Sequence, residues 1–328
     1  MANLKINLFV IAASILVIGA TMMVARYFRE IKAARERLEQ YNSQLLETSC
    51  GSIEYVSIGQ GYPVLVTHGT FGGFDQALTS SEYLAGEGFQ VIAVSRFGYL
   101  RSPAPHNPNL DMQVETFACL LDTLGIQETA VMGISGGANS AIRFSVRYPD
   151  RTSALILQSP AAPGKTPVDP VPKAAINLMR SDFAYWVMLT YMRPVIQQFV
   201  GVPKSYVLTP ETEVELMRIL DTTLPSSMRM DGMDTDFYGI PPSEFINEIS
   251  ETSPYSVHKI QAPTLVINAL DDPLAVPENV RSMAEDIPNA RLFILPDGGH
   301  ILLGHSKEVN SEVIRFILGE AAVLETSR

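Results

Sequence analysis

Apolar and polar positions divide the chain into three regimes. The first is the run Ile6 to Ala25 (INLFVIAASILVIGATMMVA), twenty residues without a charge, in which Asn7, Ser14 and Thr21 are the only polar side chains. A helix needs about 20 apolar residues to cross a bilayer, and it satisfies its own backbone there. The run therefore predicts a single-pass membrane anchor. A cleaved signal peptide competes with it, but the run is long for one and no clear A-x-A site follows. A buried core helix would show a polar face, and this run has none. Arg26 to Leu46 is rich in helix formers and predicts a helical stalk whose charge pattern suits solvent.

The second regime alternates short apolar runs with helical periodicity. Strands are predicted at Ile53–Ile58, Pro63–Thr67, Gln90–Val94, Thr129–Gly133 and Ala154–Gln158. Between them Phe74–Gly86, Asp111–Leu124 and Gly137–Tyr148 read as helices, and Gly125 and Pro149 stand where helices stop. Strands apolar on both faces and separated by helices imply a doubly wound, mostly parallel sheet with right-handed crossovers. The third regime begins at Ala161. To about Pro254 there are helical stretches and frequent prolines but no convincing strand. The rhythm resumes with Pro263–Ala269, Arg291–Leu295 and a closing helix at Ser306–Leu318. This predicts an anchor and stalk over residues 1–47, a core over 48–160 and 255–328, and a helical cap over 161–254. A more complicated single core is the alternative.

Charge and cysteine content narrow the function classes. The net charge is -11, which offers no basic face to a phosphate backbone and argues against nucleic acid as a partner. Cys50 and Cys119 make no disulfide framework and fit a reducing compartment. No Cys/His cluster has metal-ligand spacing, so neither a metal nor another cofactor is expected. Arg26, Arg29, Lys32, Arg35 and Arg37 follow the anchor, whereas Lys5 alone precedes it. That asymmetry predicts a cytoplasmic catalytic domain.

Candidate chemistry centres on Gly133-Ile134-Ser135-Gly136-Gly137, a G-x-S-x-G run between an apolar strand and a helix. Such a bend raises the serine at a helix amino terminus, where free N–H groups favour developing negative charge. A serine hydroxyl needs a base, and the base an orienting acid. On a sheet with such an elbow the chain order is serine, acid, histidine. His258 precedes the good acid candidates, which leaves His300 and His305. His300 lies on a loop after a strand and is the preferred base. Asp271 and Asp272 both follow the strand PTLVINA, with Asp272 the favoured acid. Oxyanion donors are expected at the backbone N–H groups of Gly136 and Thr70, the latter in His68-Gly69-Thr70-Phe71-Gly72-Gly73. His68 reads as structural.

Together these segments resemble the α/β-hydrolase superfamily, of the esterase, lipase and C–C hydrolase kind. Gln60 to Gly69 looks like that family's strand and oxyanion loop. Ser95-Arg96-Phe97-Gly98-Tyr99-Leu100-Arg101-Ser102 is similar to its D-x-x-G-x-G-x-S segment, with Ser95 and Leu100 as departures. The family's acid position falls on Asp272 and its Gly-His pair on Gly299-His300. The resemblance implies that the insertion caps the site. It also implies a serine hydrolase working through an acyl-enzyme, most naturally on an ester with an apolar part. Met179, Phe183, Trp186, Met188, Tyr191, Met192 and Phe199 are candidates for an apolar lining or for the cap's own core. A small lipophilic substrate and the membrane are the expected partners. C–C or peptide cleavage on the same residues, and a tethered non-catalytic binding protein, remain alternatives.

Overall fold

Each β-rich apolar run forms a strand. In the computed structural model, which describes residues 2–161, 173–239 and 256–327, eight strands build one sheet. They are β1 (Gln44–Thr48), β2 (Gly51–Gly59), β3 (Tyr62–Thr67), β4 (Phe89–Val94), β5 (Thr129–Ile134), β6 (Thr152–Gln158), β7 (Thr264–Ala269) and β8 (Ala290–Leu295). Their order across the sheet is β1-β2-β4-β3-β5-β6-β7-β8. β1 with β2 and β2 with β4 pair antiparallel, and the remaining pairs are parallel. The helices are α1 (Ala2–Gln40), α2 (Phe74–Thr79), α3 (Leu110–Thr123), α4 (Gly137–Arg147), α5 (Lys173–Met179), α6 (Asp182–Tyr191), α7 (Arg193–Phe199), α8 (Pro210–Asp221), α9 (Met230–Asp234), α10 (Pro277–Asp286) and α11 (Ser306–Ser327).

Period-two alternation sends neighbouring strand residues to opposite faces. Leu65, Ile92, Val131 and Leu155 meet Phe117 and Leu121 of α3, Ile142 and Phe144 of α4 and Met283 of α10. Val64, Val66, Val91, Met132 and Ile156 meet Phe74 and Leu78 of α2 and Val313 and Ile317 of α11. Each large apolar side chain so buried contributes about 1.5–3 kcal/mol. The doubly wound sheet is therefore the one the alternation predicts. α3 starts where Asn109 accepts the Met112 N–H at 2.8 Å, a side-chain cap.

Between β6 and β7 the described residues 173–239 hold α5 to α9 and no strand. Their Trp186, Tyr185, Ile196, Leu216 and Leu220 form a core together with Ile31 and Ala34 of α1, Phe71 and Tyr99. Ala161, where the insertion was expected to begin, is the last residue described after β6, and its expected end, Pro254, lies outside the described residues.

Three expectations at the amino-terminal end need correction. The helix stops at Gln40 rather than Leu46, and Asn42, at φ 49°, turns the chain into β1. The second half of α1 is not a solvated stalk: Ile31, Ala34 and Leu38 are buried, and Trp186 Nε1 donates to Glu30 Oε2 at 2.6 Å. Ile31 and Ala34 pack with Tyr185, Trp186 and Leu189 of α6, whereas Leu38 packs with Val56 of β2 and Phe74 of α2. Finally, Cys50 and Cys119, read as fitting a reducing compartment, are joined by a disulfide with Cα atoms 6.1 Å apart. The tip of the β1–β2 hairpin folds onto α3 and brings together residues 69 apart in sequence. The remaining part of α1 is exposed from Phe9 and is long and apolar enough to cross a membrane.

Candidate active site

Ser135 occupies the bend between β5 and α4 with φ 50°, a left-handed conformation costly for a residue with a Cβ. Its neighbours permit the bend. A Cβ on Gly133 would stand 2.6 Å from Ala141 Cβ, and one on Gly137 would collide with the carbonyls of Thr67 and His68. The backbone holds the bend at both ends: Ser135 N–H donates to Gln158 O at 2.9 Å, and Ser135 O accepts Ala138 N–H at 3.0 Å. The hydroxyl oxygen lies 2.7 Å from His300 Nε2.

His300 sits in a single helical turn after β8, and its N–H donates to Gly201 O at 2.9 Å. Gly201, at φ +76°, has no room for a side chain because His300 Cβ occupies that place. His300 Nδ1 lies 2.9 and 3.1 Å from the two oxygens of Asp272, which is buried beyond β7. Asp272 Oδ1 also accepts the N–H groups of Leu274 and Ala275, both at 2.8 Å. With the Nδ1 proton held by the carboxylate, Nε2 is left to accept the Ser135 proton.

Asp271 turns the other way, and its Oδ1 accepts the Gly299 N–H at 2.8 Å. It orients the histidine's loop rather than its ring. The competing histidine, His305, is placed elsewhere, 2.9 Å from Asp297 and 3.3 Å from Glu308. Burial alone would lower its pKa; hydrogen bonds to those two carboxylates outweigh that and raise it.

Thr70 and Gly136 face each other across the serine: a Cβ on Gly136 would stand 3.4 Å from Thr70 N. Neither backbone N–H donates to a protein acceptor among the described residues. Both remain available to an oxyanion. Burial, reinforced by Arg96, drives the His68 pKa well below its ordinary value. The neutral ring accepts the Arg96 N–H on Nε2 at 3.0 Å and turns Nδ1 to Gly69 O at 2.6 Å. It thereby pins the loop.

A clamp absent from the sequence reading completes the loop. Arg96 makes two hydrogen bonds of 2.7 Å to Asp236, which also accepts from Tyr99 Oη at 2.6 Å and Thr70 Oγ1 at 3.3 Å. Burial opposes the charge on Arg96, yet Asp236 and Tyr99 raise its pKa above the ordinary value. Arg96 lies within the Ser95–Ser102 segment that resembles the D-x-x-G-x-G-x-S pattern, whereas nothing in the sequence marks Asp236, 140 residues later.

Ser135 and His300 open onto a cavity of about 250 Å³. Phe71, Ile134, Tyr185, Phe199, Val200, Ile219, Phe237, Leu274 and Ile301 make its apolar walls, and Gln76, Gln158 and Thr223 add polar points. Of the seven aromatic and methionine candidates, Phe199 alone lines it, while Met179, Trp186 and Met188 are core. Tyr185 donates to Thr223 Oγ1 at 3.1 Å, and burial pushes its pKa up to about 12, so it stays neutral. Among the described residues no group of three His, Cys, Asp or Glu side chains is placed to hold a metal ion.

Comparison with known proteins adds four likenesses. A family profile described as the alpha/beta hydrolase fold matches residues 62–304. The chain is 28% identical over 245 residues to a poly(3-hydroxyalkanoate) depolymerase of Ectopseudomonas oleovorans, covering 70% of this chain and 76% of the relative. It is 24% identical over 274 residues to a 2-hydroxy-6-oxononadienedioate/2-hydroxy-6-oxononatrienedioate hydrolase of Pseudomonas putida, covering 81% and 91%. Among solved structures, an alpha/beta hydrolase fold protein from Nakamurella multipartita superposes with a TM-score of 0.66 at 25% identity, covering 83% of this chain and 98% of the other.

Proposed function

The chain belongs to the α/β-hydrolase family and is an enzyme of that class, and from that premise we propose that it hydrolyses carboxylic esters with an apolar acyl or alcohol part. The observation that carries this reading is the 2.7 Å contact of Ser135 Oγ with His300 Nε2 at the floor of an apolar cavity. Ser135 attacks the ester carbonyl while His300 takes its proton. The Thr70 and Gly136 N–H groups receive the developing oxyanion, and Asp272 steadies the protonated ring. His300 then returns the proton to the leaving alcohol. Water, activated by the same ring, releases the acid from Ser135.

Two likenesses bear on the bond cleaved. A poly(3-hydroxyalkanoate) is a polyester, which accords with ester cleavage. The Pseudomonas putida relative is named for dicarboxylates and favours C–C cleavage as the second reading. Among the described residues no Lys or Arg lines the cavity, so a second carboxylate would find no counter-charge among them. The ester reading is therefore preferred. α1 acts as a single-pass anchor, α5 to α9 act as the cap, and the basic residues after the span hold the catalytic domain in the cytoplasm.

The test is turnover by the purified full chain across p-nitrophenyl esters of graded chain length, a proline amide and a vinylogous ketone. The expected result is turnover of apolar esters, lost by several powers of ten in folded Ser135→Ala. Turnover of the ketone alone would replace the ester reading with C–C cleavage. A folded chain inert on all three would favour a tethered binding protein.

A further inference from the structure

α6 runs antiparallel to the second half of α1, and contacts mark its course. Arg35 Nη2 lies 3.7 Å from Asp182 at one end. Further along, the Tyr27 ring lies 5.1 Å from Phe183 and 5.5 Å from Trp186. At the other end the Arg26 guanidinium stands 5.9 Å from the Trp186 ring, against which Tyr191 packs at 5.9 Å. Nine residues separate Arg35 from Arg26, and nine separate Asp182 from Tyr191. That is ~13 Å along either helix. Tyr191 is thus level with Arg26, the residue directly after the uncharged run.

At that level the chain turns a corner at Met192 into α7. Tyr191, Met192 and Val195 at this corner are 55%, 44% and 46% exposed. Single exposed apolar residues need no explanation, whereas several together beside a span mark a contact surface. We propose that the α6–α7 corner seats in the interfacial layer of the bilayer that α1 crosses, and that a lipid-soluble ester passes from that layer along α7 to Ser135.

The inference rests on α1 being a membrane span. Lipid is the occupant because aromatic and basic residues, here Tyr27, Tyr191, Arg26 and Arg29, gather where a membrane protein meets the headgroups. α7 connects this level to the chemistry. It is seven residues long, about 10 Å. At its far end Phe199 and Val200 line the cavity, and Gly201 O holds the His300 N–H.

The test reconstitutes the full chain in vesicles of phosphatidylcholine and phosphatidylglycerol. A genetically encoded dansyl amino acid replaces either Met192 or Gln261, the latter exposed beside the amino end of β7. Lipids bearing a nitroxide just below the headgroup are expected to quench position 192 strongly and position 261 weakly. Equal quenching in chains that resist alkaline carbonate would place the corner in water, overturning the inference while the anchor stands. Extraction by carbonate would remove the anchor and the inference with it. Quenching at 192 that vanishes as the protein-to-lipid ratio rises would assign the corner to a second copy of the chain, and overturn lipid as the occupant. Met192→Asp with Val195→Asp is expected to lower turnover of a vesicle-borne ester about tenfold, or ~1.4 kcal/mol, and to spare that of a water-soluble short-chain ester. Equal loss on both would overturn delivery through the corner.

Discussion

At the scale of single residues, position relative to burial sets each role. Asp271 and Asp272 are adjacent and chemically identical, yet one reaches the His300 ring and the other the Gly299 N–H. The G-x-S-x-G motif singled out Ser135, chain order left His300 and His305, position on a loop after a strand favoured His300, and the motif spacing favoured Asp272. It could not say what Asp271 does, because that depends on which way the side chain leaves the turn. His68 carries an acid-side pH signature. Burial first, and Arg96 second, hold its folded pKa well below the ordinary 6.5. As pH falls below 6.5 the unfolded chain takes up a proton that the folded chain refuses. Stability is therefore complete above that value and declines below it, by at most about 1.4 kcal/mol per pH unit. Thermal unfolding between pH 7.5 and 5 is expected to show this acid slope in the native chain and a flatter one in His68→Gln. An unchanged slope in the variant would place the proton elsewhere.

At the scale of elements, what the sequence hid was long-range pairing. Seven strands were legible because PVLVT, QVIAV and their like are apolar on both faces. β1 was not: Gln44-Leu45-Leu46-Glu47-Thr48 continues a helix-forming stretch, and only its pairing with β2 makes it a strand. The docked face of α1 was hidden for the same reason, since Ile31 and Ala34 are buried only once α6 lies over them, and Leu38 only against β2 and α2. α10 went unread too, because its few core residues, Val280, Met283 and Ala284, sit among charges. A wholly buried tie between the inserted segment and the sheet layers is Arg229 with Asp75, at 2.8 and 3.0 Å. Arg229 also donates to Gly72 O at 2.6 Å, so it braces the oxyanion loop. Removing one partner strands a buried charge. Arg229→Met is expected to cost about 3–5 kcal/mol, read as a lower midpoint in urea unfolding. A loss under about 1 kcal/mol would mean that water reaches Asp75 when the guanidinium is gone.

At the scale of the whole molecule, the anchor and the hydrolase core are two solutions to burial. α1 leaves most of its apolar residues from Phe9 to Val24 exposed and is long and apolar enough there to cross a bilayer, whereas the sheet covers its own. Two signals bear on which side the core faces. Five basic residues follow the span, favouring the cytoplasm, while the Cys50–Cys119 bond favours an oxidising compartment. The positive charges act during insertion, before any thiol pairs, so a carboxyl-terminal green fluorescent protein fusion is expected to fluoresce. Activity of an alkaline phosphatase fusion instead would reverse the orientation. Whichever side it faces, the chemistry hangs on one hydroxyl, and mapping a fluorophosphonate adduct by peptide mass spectrometry tests it most directly. The adduct is expected on Ser135, forming at the native rate in His305→Ala and slower by powers of ten in His300→Ala. An adduct on another residue, or none on the folded native chain, would contradict the account.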